Sequence, residues 1–121
     1  MPTTKAIQKW VAIFADASIK QTDAIWDGDA KLGNQHADRS LTAFEKLRAA
    51  GDEGREALLI LLRHPRKDVR VSAAAFLLRY RTELATAILK KEAKGRGMVS
   101  FVAEQALKRW EEGDWSLDPE D

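Results

Sequence analysis

The stretch RHPRKDVRVSAAAFLL, residues 63–78, predicts a corner between two helices followed by a buried helix. Pro65 keeps the preceding His64 out of the helical region, so the leucine-rich run before it ends there. Helical character returns at about Lys67. The helix that follows has two opposite apolar faces, formed by Val69, Ala73, Phe76, Leu77 and Tyr80 on one side and by Val71, Ala74, Ala75 and Leu78 on the other. A helix that is apolar all round has to be covered on both sides.

The composition is typical of a folded helical domain. The chain has 121 residues, of which 45% are hydrophobic and 32% charged, with three prolines and no cysteine. A chain of this length buries roughly two thirds of its unfolded surface, so no disulfide or metal staple is needed. The lack of cysteine excludes thiol catalysis and cysteine-ligated zinc. We expect a soluble, cytoplasmic protein, because no apolar run is long enough for a signal peptide or a membrane span.

The apolar spacing predicts six helices in three antiparallel hairpins. The first helix is capped by Thr3 or Thr4 and ends near Gly28, with a break at Ser18 as the alternative. The remaining helices are predicted over residues 30–50, 53–63, 67–80, 83–93 and 98–112. Asp52 and Thr82 are the predicted N-caps of the third and fifth helices. Leu32 and Leu84 are expected to point inward.

The sixth helix repeats the buried fourth helix thirty residues later. The matching stripe positions are Val69, Ala73, Leu77 and Tyr80 in the fourth helix and Val99, Ala103, Leu107 and Trp110 in the sixth. On the opposite face the apolar side chains of the fourth helix are replaced by Phe101, Glu104, Gln105 and Lys108. An interior unit of a stack needs two apolar faces and a terminal unit only one. We therefore predict a single helical-repeat domain over residues 1–112, with the sixth helix as its end cap.

An acidic tail, residues 113–121, follows this domain. It contains Trp115, which a solvated tail would not be expected to hold, so we predict that Trp115 packs back on the last hairpin. A mobile acidic end is the alternative.

Charge is segregated along the chain. The net charge is −1 through Leu62, +8 over residues 63–110 and −6 over residues 111–121. The candidate surface for a partner or an anion is a basic corner, which we define as Arg63, Arg66, Lys67 and Arg70. These side chains lie at the start of the buried helix, whose dipole adds to their positive field. The alternatives are a solvated corner and screening by the acidic tail.

No motif in the sequence predicts catalysis. The phosphate-binding loop, the serine nucleophile elbow and the zinc helix are all absent. We expect no enzymatic activity, no catalytic residue, no cofactor and no metal. His36 is expected at the edge of the core, and His64 is expected to cap backbone carbonyls at the corner. The carboxylates at positions 23, 27 and 29 lack the spacing of a calcium loop.

An ordered set of residues resembles HEAT-type repeats and, more closely, a family of short bacterial HEAT-like proteins known only as a domain of unknown function. The set comprises Asp29, Asn34, Gly54-Arg55, Leu58 to Leu62, His64-Pro65, Val69-Arg70, Ala73-Ala74, Gly113 and Pro119. The resemblance covers about Trp10 to Pro119. It implies an all-α, HEAT/ARM-like alpha-alpha superhelix without assigned activity, and some relatives are suspected of neutralising toxins as immunity proteins. It implies no functional residues.

Two functional hypotheses follow. The first is a non-catalytic module that binds another protein, with toxin neutralisation as its sharpest form. The second is a nucleic-acid-binding protein that uses the basic corner, residues 63–70. No aromatic residue is interleaved with these cations, which favours the first hypothesis. No membrane partner is expected.

Overall fold

A computed structural model describes residues 3–119, and within this range the chain forms helices and turns without a strand. Helix accounts for 78% of these described residues. The elements are α1 (Thr4–Trp26), α2 (Ala30–Ala49), α3 (Asp52–Leu58), a 3-10 helix (Leu59–Arg63), α4 (Lys67–Phe76), α5 (Thr82–Ala93) and α6 (Met98–Glu111). The predicted all-α class with six helices is confirmed. None of these helices is both long and apolar enough to cross a membrane.

The chain divides into two compact units, one through Ile60 and one from Leu61 onward. In the first unit, α1 and α2 pack along each other as a helical hairpin, and α3 packs on both. In the second unit, α4, α5 and α6 pack on one another. The single repeat domain over 1–112 and its superhelical stacking stay predictions.

Helix α1 runs without a break, which confirms the first of the two predictions for it. Thr3 is the N-cap, and its hydroxyl accepts a hydrogen bond from the Ala6 N–H at 3.1 Å. Ser18 is buried, yet its hydroxyl donates to the carbonyl oxygen of Phe14 at 2.9 Å, so the polar group is satisfied inside the helix. A buried serine at this position therefore does not end the helix.

Several predicted helix ends are wrong. The third helix leaves the α conformation after Leu58 and continues to Arg63 as a 3-10 helix, the tighter form that often precedes a corner. Helix α4 ends at Phe76 instead of Tyr80. A contact with a residue much later in the sequence contributes to this helix end. The carbonyl of Ala75, in the last turn of α4, accepts a hydrogen bond from the indole N–H of Trp115 at 2.9 Å.

The predicted N-caps at Asp52 and Thr82 are wrong as well. Gly51 occupies the N-cap of α3, and Asp52 is the first helical residue. Arg81 occupies the N-cap of α5. The hydroxyl of Thr82 instead donates to the Leu78 carbonyl at 2.6 Å, which satisfies a polar group of the preceding turn.

The fourth helix is buried on both of its apolar faces, as the sequence predicts. The side chains that are no more than 1% exposed include Val69, Val71, Ala73 and Ala74 in α4 and Leu77 and Leu78 directly after its end. Leu32 and Leu84, in contrast, are 39% and 47% exposed, so the prediction that they point inward is wrong. Each lies in the first turn of its helix, at the end of the apolar stripe.

Trp115 is buried in the second unit. Besides the bond to Ala75, its ring meets the Trp110 ring edge to face at 5.2 Å between centroids. The guanidinium of Arg79 lies 5.4 Å from the centre of the Trp115 ring and donates to the backbone carbonyl of Asp118. These contacts tie the segment after α6 to α4 and α6 at several points.

We expect Gly54→Ala to destabilise the protein by at least about 3 kcal/mol. A Cβ at Gly54 would lie 1.9 Å from the backbone carbonyl oxygen of Leu47, which cannot move without displacing α2. Urea unfolding followed by circular dichroism measures the change. Gly33→Ala is the matched control, because its Cβ would lie 3.2 Å from the Ile25 side chain and no closer than 3.8 Å to a backbone atom, the carbonyl oxygen of Gln21. Its free energy of unfolding is expected to change by less than about 1 kcal/mol, and equal losses in the two variants would contradict the prediction.

Candidate functional site

The basic corner is held by contacts within the second unit. The Arg66 guanidinium forms a fork with the Asp68 carboxylate, with Nε at 3.1 Å from one oxygen and Nη2 at 2.8 Å from the other. The Asp68 side chain is only 8% exposed. Because this ion pair is bidentate and partly buried, the Asp68 carboxylate neutralises much of the charge of Arg66.

Arg70 connects the corner to α5. Its Nη1 donates to the backbone carbonyls of His64 and Pro65 at 2.9 and 3.0 Å, and its Nη2 donates to Glu92 at 2.8 Å. The Glu92 side chain is 9% exposed, so its carboxylate needs this partner. Arg70 is therefore a structural side chain as well as a surface cation.

His64 plays a different part from the one predicted. Its Nδ1 accepts a hydrogen bond from the backbone N–H of Arg66 at 3.0 Å. The prediction that His64 caps backbone carbonyls is wrong, because Arg70 binds the carbonyls of the corner and leaves the imidazole to accept an N–H.

The remaining two cations of the corner differ in their surroundings. Lys67 donates a hydrogen bond to the buried hydroxyl of Ser100 in α6. Arg63 is exposed, and its side chain makes no hydrogen bond or ion pair with the residues between 3 and 119. With the carboxylates of Asp68 and Glu92 included, the corner keeps a formal excess of two positive charges, and its use as a partner or anion surface stays a prediction.

Sequence reasoning missed Glu92, although the sequence contains a signal for it. Glu92 follows two lysines, so it resembles a member of a solvated charge run. Its position in the helix indicates burial instead. The spacing of α5 places Glu92 on the same face as Ala85 and Leu89, and these three are the buried residues of the helix. A carboxylate on an apolar stripe predicts a buried cation nearby, which in the folded protein is Arg70.

A second polar cluster joins α1 to α2 in the first unit. Arg39 donates to Asp16 at 3.1 Å, and its other terminal nitrogen lies 2.9 Å from Nδ1 of His36. Lys20 lies 3.3 Å from the same carboxylate. The hydrogen bond from Arg39 lowers the pKa of Asp16, aided by Lys20 and opposed by partial burial. His36 lies half-buried at the edge of the hairpin core, where the sequence predicts it.

An open groove of about 350 Å³ lies beside this cluster, on the surface of the α1–α2 hairpin. Its walls are formed by Trp10 and Ile13 from α1 and by Gln35, Asp38, Arg39 and Thr42 from α2. The ammonium groups of Lys9 and Lys46 lie 5.4 and 6.0 Å from the Trp10 ring centre. The volume is near the lower end for small-molecule pockets, and the groove suits a single side chain of a partner better than an enclosed substrate.

Metal-ligating side chains are scattered in the part of the chain that the structure describes. Between residues 3 and 119, no three His, Asp or Glu side chains come close enough together to hold a metal ion. The aspartates at positions 23, 27 and 29 lie at the exposed end of the α1–α2 hairpin.

The comparisons with known proteins identify the family. A family model described as a domain of unknown function, DUF2019, matches residues 8–108. The chain belongs to this family. This membership confirms the resemblance predicted from the sequence, and no enzymatic activity is assigned to the family.

One solved structure shows the same fold. The chain is similar to the crystal structure of the protein RPA1889 from Rhodopseudomonas palustris CGA009, with a TM-score of 0.84 and 24% sequence identity. The match covers 91% of this chain and 92% of that one. At this identity the likeness shows the fold alone. No curated protein matches the chain.

We expect Arg70→Ala to lower the free energy of unfolding by about 2–3 kcal/mol, because it leaves Glu92 without its cation and two carbonyls without their donor. Arg70→Lys should recover part of the loss, since an ammonium keeps the charge but not the fork. Chemical denaturation measures both. The control is Arg63→Ala, which removes an exposed cation and should change stability by no more than about 0.5 kcal/mol. An Arg70→Ala protein as stable as this control would refute the structural role.

The lowered pKa of Asp16 predicts a pH dependence of stability. Because the pKa is lower in the folded than in the unfolded chain, the stabilisation is present above about pH 4 and is lost as the pH falls through the folded-state value. We expect Asp16→Asn to cost less than about 1 kcal/mol at neutral pH, since solvent screens this half-exposed pair. The cost should vanish in acid. Unfolding curves at both pH values test this, with the exposed Asp38→Asn as control; a cost that persists in acid would contradict the assignment.

Proposed function

We propose that this protein is a non-catalytic module that binds another protein. Its action would depend on helical surfaces and not on an enclosed pocket. Neutralising a toxin by direct binding, as an immunity protein does, would be the most specific form of this function. A location in the bacterial cytoplasm is part of the proposal, and a chain without cysteine suits a reducing compartment.

The observation that supports the proposal is the exposure of several large apolar side chains in a chain that buries others completely. Trp26 is 74% exposed, Ile60 69% and Phe101 59%, whereas Phe14 and Phe44 are fully buried. Exposed aromatic side chains are among the residues that contribute most to binding energy at protein interfaces. The chain can bury aromatic side chains, and these large apolar ones are nevertheless left in contact with water.

The second candidate is nucleic-acid binding through the basic corner. The net charge of +8 over residues 63–110 favours it. The ion pairs of Arg66 with Asp68 and of Arg70 with Glu92 weigh against it, because a cation already paired with a carboxylate gains less from a phosphate. Protein binding is therefore the better supported function.

Capture from the native host, followed by reconstitution, tests the proposal. The captured protein is purified and titrated calorimetrically with the chain and with Trp26→Ala, Ile60→Ala and Phe101→Ala. We expect a stoichiometric complex, and we expect at least one of these substitutions to weaken it about tenfold or more. The matched control is Glu104→Ala, which shortens an exposed polar side chain on α6 and should leave the affinity unchanged.

The same preparations are titrated with duplex and single-stranded DNA over a salt series. A steep salt dependence that is lost in Arg66→Ala/Lys67→Ala, but kept in Lys90→Ala/Lys91→Ala, would establish the second candidate. The lysine pair is the matched control because it removes the same charge from α5. The proposal is overturned by that result, or by the absence of any stoichiometric protein complex.

A further inference from the structure

The end of the α1–α2 hairpin is a fixed turn. Gly28 has a φ of 77°, and its N–H donates to the Ile25 carbonyl at 3.0 Å, while the Asp29 N–H donates to the Ala24 carbonyl at 2.9 Å. This pair of bonds is the Schellman motif that closes many helices. On the other side of the turn, the Asp29 carboxylate caps α2 by accepting the Leu32 N–H at 3.0 Å. Trp26 is therefore presented from a backbone that is held on both sides.

Apolar side chains cover this end where polar ones would be expected. Trp26 is 74% exposed, Ile25 41% and Leu32 39%. The two helices approach each other closely at this end. A Cβ at Gly33 of α2 would lie only 3.2 Å from Cγ1 of Ile25 in α1. The three side chains lie at the same end of the hairpin, two on α1 and one on α2, and are here called the hairpin-end patch.

Negative charge surrounds the hairpin-end patch. The last turn of α1 contains no basic residue, and Asp23 and Asp27 lie at or just after this turn. A helix C-terminus carries the negative end of the dipole, so carboxylates there are unfavourable for the helix itself. Between Asp23 and Leu32 the chain has three aspartates and one lysine, a net charge of −2. The end of the hairpin is thus apolar and anionic together.

We propose that the hairpin-end patch docks a basic segment of a partner protein, with an arginine or lysine side chain lying on the Trp26 ring. This inference rests on the proposed protein-binding function and assigns it a surface. The indole face attracts a cation, and the nearby carboxylates favour the same charge. The methylene stem of the partner's arginine or lysine would pack on Ile25 and Leu32. The same negative field repels nucleic acid and anionic membranes from this end.

The test is an NMR titration of the whole chain, observed at the indole N–H signals of its four tryptophans. The probe is a capped, alanine-based helical peptide with leucine and arginine on one face. A matched peptide carries glutamate in place of arginine. We expect the arginine peptide to shift the Trp26 signal most, and we expect the shift to shrink as salt is added. The glutamate peptide should leave that signal in place.

Variants separate the two parts of the patch. Trp26→Ala should weaken binding of the arginine peptide about tenfold. Asp27→Asn, which keeps the ring, should weaken it about two- to fivefold and reduce its salt dependence. Asp114→Asn, an exposed carboxylate in the other unit, is the matched control and should have no effect.

Three results would overturn the assignment of this surface. The first is a response to the glutamate peptide as large as the response to the arginine peptide, and the second is unchanged binding in Trp26→Ala. The third is a Trp26 signal that moves with protein concentration alone, which would identify a second copy of the chain as the occupant. None of these bears on whether the chain binds a host protein. If the captured complex forms with full affinity in Trp26→Ala, the surface is wrong and the protein-binding function stands.

Discussion

The side chain of Arg70 satisfies two needs of the second unit at once. Where Pro65 breaks the helical ladder, the carbonyls of the corner lose their regular partners, and Arg70 supplies donors to them. The carboxylate of Glu92 on α5 is almost fully buried and needs a cation, which the same guanidinium provides. A planar group with five donors can meet both demands, whereas an ammonium cannot. Arg70 therefore ties the corner at the start of α4 to α5.

This structural use of arginine changes what the charge pattern means for function. In the sequence, residues 63–70 form a cationic cluster, but in the folded chain Arg66 and Arg70 are each paired with a carboxylate. The acidic tail is likewise not only a counter-charge. Trp115 caps a carbonyl of α4, and the backbone at Asp118 accepts a hydrogen bond from Arg79. Both the basic and the acidic segments thus contribute to holding the second unit together.

Most of the apolar and charged side chains that folding leaves exposed lie on the surfaces of helices. Most apolar side chains of α4 are buried, and two of the cations at its start, Arg66 and Arg70, are paired with carboxylates, so little of this helix is available to a partner. At the end of the α1–α2 hairpin the balance is opposite, because Trp26 is exposed and the carboxylates of Asp23 and Asp27 work against the dipole of α1. Such an arrangement costs stability at positions where polar side chains would cost none, and it supports the proposed binding of another protein.

The sequence by itself determined the all-helical class, the corner at Pro65 and the burial of the fourth helix, and it favoured an unbroken α1, because each follows from local spacing of apolar residues and from proline geometry. Only the tertiary structure decided where α4 ends, since the apolar pattern continues past Phe76, and a carbonyl of the last turn is bound by Trp115 from much later in the chain. It also decided the partners of the basic corner. Glu92 lies 22 positions from Arg70, and no local rule relates two charges so far apart until the helices that bear them pack together.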